Sequence, residues 1–230
     1  MTKTLGILML DTHFPRIPGD VGNPASFPFP IVKKVITGAS TERIVHGHDR
    51  TLLEPFCQAA RELEQQGVAA ITTSCGFLAM FQRELAEVVS VPMFTSSLLQ
   101  VRLVSGMLPK GQVVGVLTAD AQTLSTPQLE GVGIADIPMV IYGMEGTAFG
   151  TVFVGDTPEF DRQTAEREMV SVAQKMVHEH PEVGAIVMEC TNMPPYARAV
   201  QQATGRPVYD ITTLACSVMN GVNRTDFFEK

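Results

Sequence analysis

The sequence predicts an α/β protein made of two pseudo-symmetric lobes, each a mainly parallel sheet flanked by helices, with a cleft between them. Two observations support this fold class. Short apolar runs alternate with longer amphipathic segments, which is the pattern of βα units. The second half of the 230-residue chain also repeats landmarks of the first half in the same order, as after a duplication, although generic βα units can resemble one another by chance. We expect residues 1–97 with 210–230 to form one lobe and residues 98–209 the other.

The first half begins with an apolar run at Leu5–Leu10, which predicts a strand that ends at Asp11. The segment Leu52–Gln66 carries its apolar residues at helical spacing and is followed by Gly67, a residue type favoured just beyond helix ends. Val68–Thr73 predicts a second buried strand. Two further elements complete this half, a helix at Leu78–Val88 and a short strand at Pro92–Thr95.

The second half repeats this order of elements. Its predicted strands and main helix are Val113–Leu117, Thr164–His178, Glu182–Met188 and Pro207–Tyr209. Each half contains a strand that ends just before a cysteine, and these cysteines, Cys75 and Cys190, lie 115 residues apart, half of the 230-residue chain. The repeat therefore predicts one cysteine at an equivalent place in each lobe.

The composition indicates a folded protein without a polyanionic or membrane partner. Hydrophobic residues make up 45% of the chain and charged residues 18%, and the formal net charge is −7. The basic residues are scattered, so the chain lacks the electrostatic footprint of a nucleic-acid-binding surface. The apolar run before Asp11 is too short for a signal peptide or a membrane span. We therefore expect a cytoplasmic protein whose four cysteines stay reduced.

Cys75 and Cys190 differ from the other cysteines in position. Cys57 and Cys216 fall in helical segments with apolar neighbours, as most inert free cysteines do. Cys75 and Cys190 each follow a strand where a helix is predicted to begin, and a helix N-terminus stabilises a thiolate. Because ligands bind beyond the carboxyl ends of strands in open α/β sheets, we expect both thiols to line one cleft. Two opposed thiols can remove a proton from one face of a carbon and return one to the other.

Three motifs together resemble the aspartate/glutamate/hydantoin racemase superfamily, and the resemblance covers nearly the whole chain. They are the paired strand–cysteine motifs, the loop Thr118-Ala-Asp-Ala-Gln-Thr123 and the Cys-Thr-x-x-Pro turn that begins at Cys190. The resemblance implies an enzyme independent of pyridoxal phosphate or any other cofactor, with its substrate between two cysteines that act as base and acid. We therefore expect an isomerase, a racemase or epimerase of an aspartate- or glutamate-like amino acid or a related small acid.

The resemblance also implies roles for particular residues. Cys75 and Cys190 would be the catalytic thiols, with Asp11 as a catalytic acid near the first of them. The substrate carboxylate would be held by the backbone amides after each cysteine and by three threonines, Thr118, Thr123 and Thr191.

Several positions near the cysteines depart from the amino-acid racemases. Gly76 and Phe77 follow the first cysteine where an Asn-Thr pair is usual, and Asn192 stands where glutamate racemases have histidine. We assign all three to substrate binding, with Gly76 allowing close backbone approach and Phe77 forming an apolar wall. Glutamate is therefore a poor fit. Glu189 replaces a residue that is often glycine, and it acts either as a base behind the thiols or as a surface-facing carboxylate.

The longest proline-rich stretch runs from Asp11 to Pro30, and its five prolines from Pro15 onward exclude a regular helix. Loops of this length are often functional, so we expect it to cover the cleft rather than serve as a plain surface connection. Arg16 within it is a candidate clamp for a substrate carboxylate. His46 and His48 lack a known metal-ligand spacing, and we expect no metal site.

Other interpretations remain open at this level. Within the same superfamily, the resemblance also allows a hydantoin racemase, a maleate-type isomerase or a malonate-type decarboxylase, although the last resembles enzymes with only one of the two cysteines. A non-catalytic two-lobed protein that binds a small molecule needs the cleft but no reactive thiols. In each case we expect a small carboxylate-bearing ligand and a homo-oligomer, a dimer.

Overall fold

The computed structural model describes residues 3–159 and 161–224, so the outermost positions of the predicted first lobe, 1–2 and 225–230, lie outside it. Two four-stranded sheets form the framework, and every strand pair in them is parallel. Helices flank both sheets. The predicted α/β class with two parallel sheets is confirmed.

The first sheet has the strand order β2-β1-β3-β4. Its strands are β1 (Leu5–Leu10), β2 (Ile31–Ile36), β3 (Ala70–Thr73) and β4 (Met93–Phe94). The second sheet has the order β6-β5-β7-β8, with β5 (Val113–Thr118), β6 (Met139–Gly143), β7 (Val183–Met188) and β8 (Val208–Tyr209). The two orders are the same, since the first strand of each half pairs with the second and third. The repeat in the sequence therefore corresponds to a repeated topology.

The described residues contain eight α-helices. They are α1 (Leu53–Gln65), α2 (Gln82–Glu87), α3 (Gln100–Met107), α4 (Thr126–Gly131), α5 (Ala148–Gly155), α6 (Arg162–Glu179), α7 (Ala197–Thr204) and α8 (Ile211–Val222). Gly67, just beyond α1, has a φ of +82°, which explains why glycine stands there. Asp210 begins α8 by accepting hydrogen bonds from the amides of Thr212 and Thr213. Within the described ranges, no helix is both long and apolar enough to cross a membrane.

Two edge strands and one helix differ from the sequence prediction. β2 and β6 lie at the outer edges of their sheets, and most of their residues are only half-buried. β2 contains Lys33 and Lys34 and lacks the continuous apolar run of a central parallel strand, whereas β6 has such a run; neither strand is among those predicted from the sequence. The helix predicted at Leu78–Val88 is instead a 3₁₀ turn at Gly76–Phe81 followed by α2. Every residue of that turn is buried, which hides the one-sided periodicity of a surface helix.

The C-terminal helix α8 packs on the first sheet. Its buried residues Ile211, Ala215 and Met219 share an apolar cluster with Leu5 and Ile7 of β1. The chain therefore returns to the first sheet after β8.

Candidate active site

Cys75 and Cys190 follow β3 and β7, the third strand along the chain in each sheet, and both line one cavity. The cavity holds about 380 Å³ of empty space, its mouth included. Residues from both halves of the chain form its walls, and they are Leu10, Thr12, Phe14, Arg16, Thr41, Val45, Ser74, Cys75, Gly76, Phe77, Ala119, Phe153, Val154, Glu189, Cys190 and Asn192. Both cysteines therefore lie in the wall of one cavity.

The thiol of Cys75 lies at the start of the 3₁₀ turn that comes directly after it. Burial raises the pKa of Cys75 to about 12, and the negative charge of Glu189 adds to the effect. Hydrogen bonds from the amides of Phe77 and Leu78 and the charge of Arg16 act in the opposite direction. These donors and this cation are the groups that would stabilise a Cys75 thiolate.

The thiol of Cys190 has a different setting. Its pKa is raised well above the ordinary value, first by burial and then by the charge of Glu189, and the amide of Asn192 opposes the rise. The thiol donates a hydrogen bond of 3.4 Å to Asn192 Oδ1. Both thiols are therefore neutral in the free protein, and Cys75 has more groups that favour its ionised form.

Glu189 lies between these motifs and is completely buried. Thr118 Oγ1 donates a 2.8 Å hydrogen bond to Glu189 Oε2, while Glu189 Oε1 has no hydrogen-bond partner in the described part of the chain. Burial raises the pKa of Glu189 from 4.5 to about 7, against the lowering effect of the Thr118 hydrogen bond. The surface-facing alternative for this residue is therefore wrong, because the carboxyl lies in the wall of the cavity.

Gly76 explains how Glu189 reaches this position. A Cβ on Gly76 would lie 2.8 Å from Glu189 Cδ and would overlap both Glu189 Oε1 and its backbone oxygen. Only a residue without a side chain allows the carboxyl end of β7 to pack this closely on the turn after Cys75. The predicted close approach to the backbone of Gly76 is therefore made by Glu189 of the same chain.

The proline-rich segment from Asp11 to Pro30 crosses from the first sheet to the second half of the chain. His13 Nδ1 lies 2.8 Å from Asp156 Oδ2, and the amide of Val21 donates to Thr191 O at 3.3 Å. Thr12, Phe14 and Arg16 of this segment line the cavity. The segment therefore forms part of the wall at the mouth of the cleft.

Arg16 connects this segment to the second cysteine motif. Its Nη1 donates to Asp20 Oδ1 at 3.0 Å and its Nη2 to Thr12 Oγ1 at 2.9 Å. Asp20 Oδ2 in turn accepts a 2.6 Å hydrogen bond from Asn192 Nδ2, and Asn192 Oδ1 accepts from Cys190. One continuous network thus links the guanidinium group to the second thiol.

Three aromatic rings give the cavity an apolar wall. Phe77 is two residues beyond the first cysteine, Phe14 comes from the proline-rich segment and Phe153 from α5. The rings of Phe14 and Phe153 meet edge to face with centroids 4.9 Å apart, and the guanidinium carbon of Arg16 lies 4.6 Å from the Phe14 centroid. The face of an aromatic ring attracts a cation, and at Phe14 this cation is Arg16 of the same chain.

The structure does not bring four of the predicted residues to the thiols. Asp11 Oδ2 accepts from the amide of Gly38 at 2.9 Å, so its carboxylate stabilises the turn after β2 instead of assisting Cys75. The hydroxyls of three predicted carboxylate binders are used elsewhere: Thr118 donates to Glu189, Thr123 to Asp120 O and Thr191 to Ser74 O. None of these four residues lines the cavity.

The predicted residues that do line the cavity are Cys75, Gly76, Phe77, Cys190, Asn192 and Arg16. Sequence reasoning missed Phe14, Asp20 and Phe153. The first two lie in the proline-rich segment that was already expected to cover the site, so the segment itself was the available signal. Phe153 comes from an apolar helix that carries no motif.

Solved structures share this fold of two parallel sheets flanked by helices. An allantoin racemase from Klebsiella pneumoniae matches with a TM-score of 0.67 at 14% identity, over 96% of this chain and 87% of that one. An arylmalonate decarboxylase matches with a TM-score of 0.64 at 16% identity, over 97% and 96%. By sequence, the chain belongs to the family of the dimethylsulfoniopropionate lyases.

Two relatives show this membership. The dimethylsulfoniopropionate lyase of Durusdinium sp. clade D is 30% identical over 226 residues, which cover 95% of this chain and 74% of that protein. Dimethylsulfoniopropionate lyase 3 of Emiliania huxleyi (strain CCMP1516) is 33% identical over 228 residues, covering 94% of this chain but only 59% of that protein. No protein-family model matches the chain. The expected isomerase of amino acids is not confirmed, because these relatives are named as lyases.

Proposed function

We propose that this protein is a lyase that acts on a propionate bearing a sulfonium group, with dimethylsulfoniopropionate as the first candidate. The observation that carries the proposal is a cysteine thiol, Cys75, which shares an aromatic-walled cavity with Arg16 in a chain that belongs to a lyase family. A thiolate is a suitable base for a proton next to a carboxylate once the cavity excludes water.

The reaction can be derived from the structure of the substrate. A cysteine thiolate takes the proton from the carbon next to the carboxylate, and the C–H electron pair forms a double bond to the neighbouring carbon. The bond from that carbon to the sulfonium sulfur breaks, and its electron pair leaves with the sulfur as neutral dimethyl sulfide. Acrylate remains, and the thiolate has become a thiol. The base must approach the carbon to roughly 3–3.5 Å for this step.

Elimination and racemisation share the first half of this chemistry. Both begin with removal of a proton next to a carboxylate or carbonyl group, which is why one fold can support either reaction. They differ in the second half, since a racemase needs a second thiol to return a proton to the opposite face. A neutral sulfide needs no proton to leave, so elimination needs one thiolate as base.

The substrate carboxylate is placed in this proposal by Arg16 and by the amides after Cys75. Arg16 lines the cavity, and its charge reaches Cys75. The amides of Phe77 and Leu78 point towards the same thiol. Together they provide positive potential where the carboxylate gains electron density as its neighbouring proton is removed.

The test is release of the products from purified protein. Incubation with dimethylsulfoniopropionate should give dimethyl sulfide, measured by gas chromatography of the headspace, and an equal amount of acrylate, measured by ¹H NMR. The double variant Cys75→Ser/Cys190→Ser serves as the inactive control. A folded wild-type protein that releases no dimethyl sulfide contradicts the proposal.

A second candidate is racemisation of an amino acid or of a hydantoin-like ring. It is favoured by the retention of both cysteines at a single cavity. Incubation of single enantiomers of aspartate, glutamate and 5-substituted hydantoins in D₂O should then place deuterium on the chiral carbon with loss of optical rotation. Absence of exchange with every one of these compounds removes this candidate.

A further inference from the structure

We propose that Glu189 is the counter-charge for a permanently cationic group, so that the cavity selects zwitterions with a carboxylate at one end and a sulfonium or quaternary ammonium at the other. The inference rests on the proposed function only for the identity of the cationic group. Glu189 then determines which ligand is bound, a role separate from proton removal by a thiol.

Glu189 has few partners within the described part of the chain. Thr118 donates a hydrogen bond to Oε2, and Oε1 has none although the whole residue is buried. Among the residues that the structure describes, no arginine, lysine or histidine forms an ion pair with this carboxyl. Arg16 lines the same cavity, but its ion pair is with Asp20 at 3.0 Å. Within those residues, Glu189 is therefore a buried acidic group without a cation.

Such a group is unfavourable as a carboxylate unless something compensates for its lost hydration. A cation in the cavity would provide that compensation, because the attraction between unit charges is much stronger in a buried site than in water. A trialkyl sulfonium or quaternary ammonium carries a fixed charge and no N–H or O–H donor. Such a cation would compensate the negative charge at Glu189 Oε1 without forming a directed hydrogen bond to it.

The surroundings of Glu189 match this kind of ligand. Phe77 and Phe153 line the same cavity, and aromatic rings attract methylated cations. Thr118 holds Oε2, which leaves Oε1 for the ligand, and the missing Cβ of Gly76 provides the space for Oε1. Thr118 thus acts through Glu189 as a positioning residue.

Arg16 provides the opposite pole. Its guanidinium lies over the Phe14 ring and contributes positive potential at Cys75. A ligand with its carboxylate towards Arg16 and its cation towards Glu189 would match both charges at once. The separation of Arg16 and Glu189 would then determine how long a ligand the cavity accepts.

The test compares two ligands of the same shape that differ in charge. These are 3-(trimethylammonio)propionate and 4,4-dimethylpentanoate, in which a neutral carbon replaces the charged nitrogen. We expect the wild-type protein, in isothermal titration calorimetry, to bind the cationic ligand about tenfold more tightly or better. Glu189→Gln keeps the shape of the side chain and an acceptor for Thr118, and should bring the ratio of the two dissociation constants close to one.

A matched control removes a charge elsewhere. Glu130, at the exposed end of α4, is outside the cavity, so Glu130→Gln should keep the wild-type ratio. Glu189→Asp keeps the charge and should keep a preference for the cation. If Glu189→Gln fails to fold, Thr118→Val, which removes the hydrogen bond that orients the carboxylate, should lower the ratio instead.

Three results overturn the inference: a wild-type protein that binds neither ligand, one that binds both equally, or an unchanged ratio in folded Glu189→Gln. Its failure can be distinguished from failure of the lyase proposal. A wild-type protein that releases dimethyl sulfide while Glu189→Gln keeps the preference for the cation refutes the inference alone. One that prefers the cationic ligand but releases no dimethyl sulfide refutes the lyase proposal alone.

Discussion

Replacement of Glu189 by glutamine should stabilise the free protein at alkaline pH and leave it nearly unchanged at acidic pH. The reason is the pKa of Glu189, which burial raises from 4.5 to about 7. At pH values below 4.5 the carboxyl is neutral in both the folded and the unfolded chain. Between pH 4.5 and about 7 it ionises readily only when the chain unfolds, so the free energy of unfolding falls as the pH rises.

The size of the effect can be worked out from the same two values. Each pKa unit corresponds to about 1.4 kcal/mol, so a rise from 4.5 to about 7 corresponds to about 3 kcal/mol of lost stability once the pH exceeds the folded pKa. Glutamine has the same shape and cannot ionise. The stability advantage of Glu189→Gln should therefore grow by about 2–3 kcal/mol between pH 5 and pH 8.

Urea unfolding of both proteins at pH 5 and pH 8, followed by circular dichroism, measures this difference. Glu130→Gln removes an exposed carboxylate and should show no comparable dependence on pH. Equal free energies of unfolding for Glu189→Gln and the wild type at pH 8 would refute the reasoning. That result would mean that the carboxyl finds compensation for its charge in the free protein.

Three further predictions concern the thiols, Gly76 and the covering segment. Of Cys75→Ser and Cys190→Ser, the variant that lacks the base should lose dimethyl sulfide release by about 100-fold or more, while the other keeps measurable turnover; equal losses favour racemase-like use of both thiols. Gly76→Ala should lower the free energy of unfolding by about 1–3 kcal/mol in thermal or urea unfolding, because its Cβ overlaps Glu189; unchanged stability contradicts this contact. The hydrogen bond to Asp156 raises the pKa of His13, so this contact should hold most firmly at low pH and weaken as the pH rises through that pKa. His13→Ala should therefore increase cleavage of the segment Asp11–Pro30 in limited proteolysis at pH 6 but little at pH 9, and equal cleavage of variant and wild type at pH 6 opposes this role.

The central strands and the position of the two cysteines could be predicted because they depend on local patterns. A buried parallel strand appears as a continuous apolar run, and the polar residues after β3 and β7 indicate where each run ends. The carboxyl ends of parallel strands lie at the same edge of a sheet, so each cysteine is predicted at that edge of its own sheet, and the repeat between the two halves predicts that these edges face each other. The segment after β1 is long and leaves the sheet at this edge, and these two features predict that it covers the cleft.

The roles of individual side chains could not be predicted, because they depend on partners far away in the sequence. Asp11 and Thr118 both lie at strand ends beside the cleft, yet Asp11 turns to the amide of Gly38 and Thr118 to Glu189. Nothing within a few residues of either indicates which way it turns. Phe153 reaches the cavity from α5, whose sequence is apolar except for Thr151 and contains no motif that indicates a ligand contact.

The contacts behind the thiols have a consequence for how ligands enter and leave. Thr191 Oγ1 donates to Ser74 O at 2.6 Å, and Ser97 Oγ donates to Met188 O at 2.6 Å, so buried hydrogen bonds join the two halves of the chain at the floor of the cleft. Opening the lobes about this floor would break those bonds without water to replace them. The contact between His13 and Asp156 at the mouth is exposed by comparison. We therefore expect exchange of ligand with solvent to begin at the exposed His13 end of the proline-rich segment and not by opening of this floor.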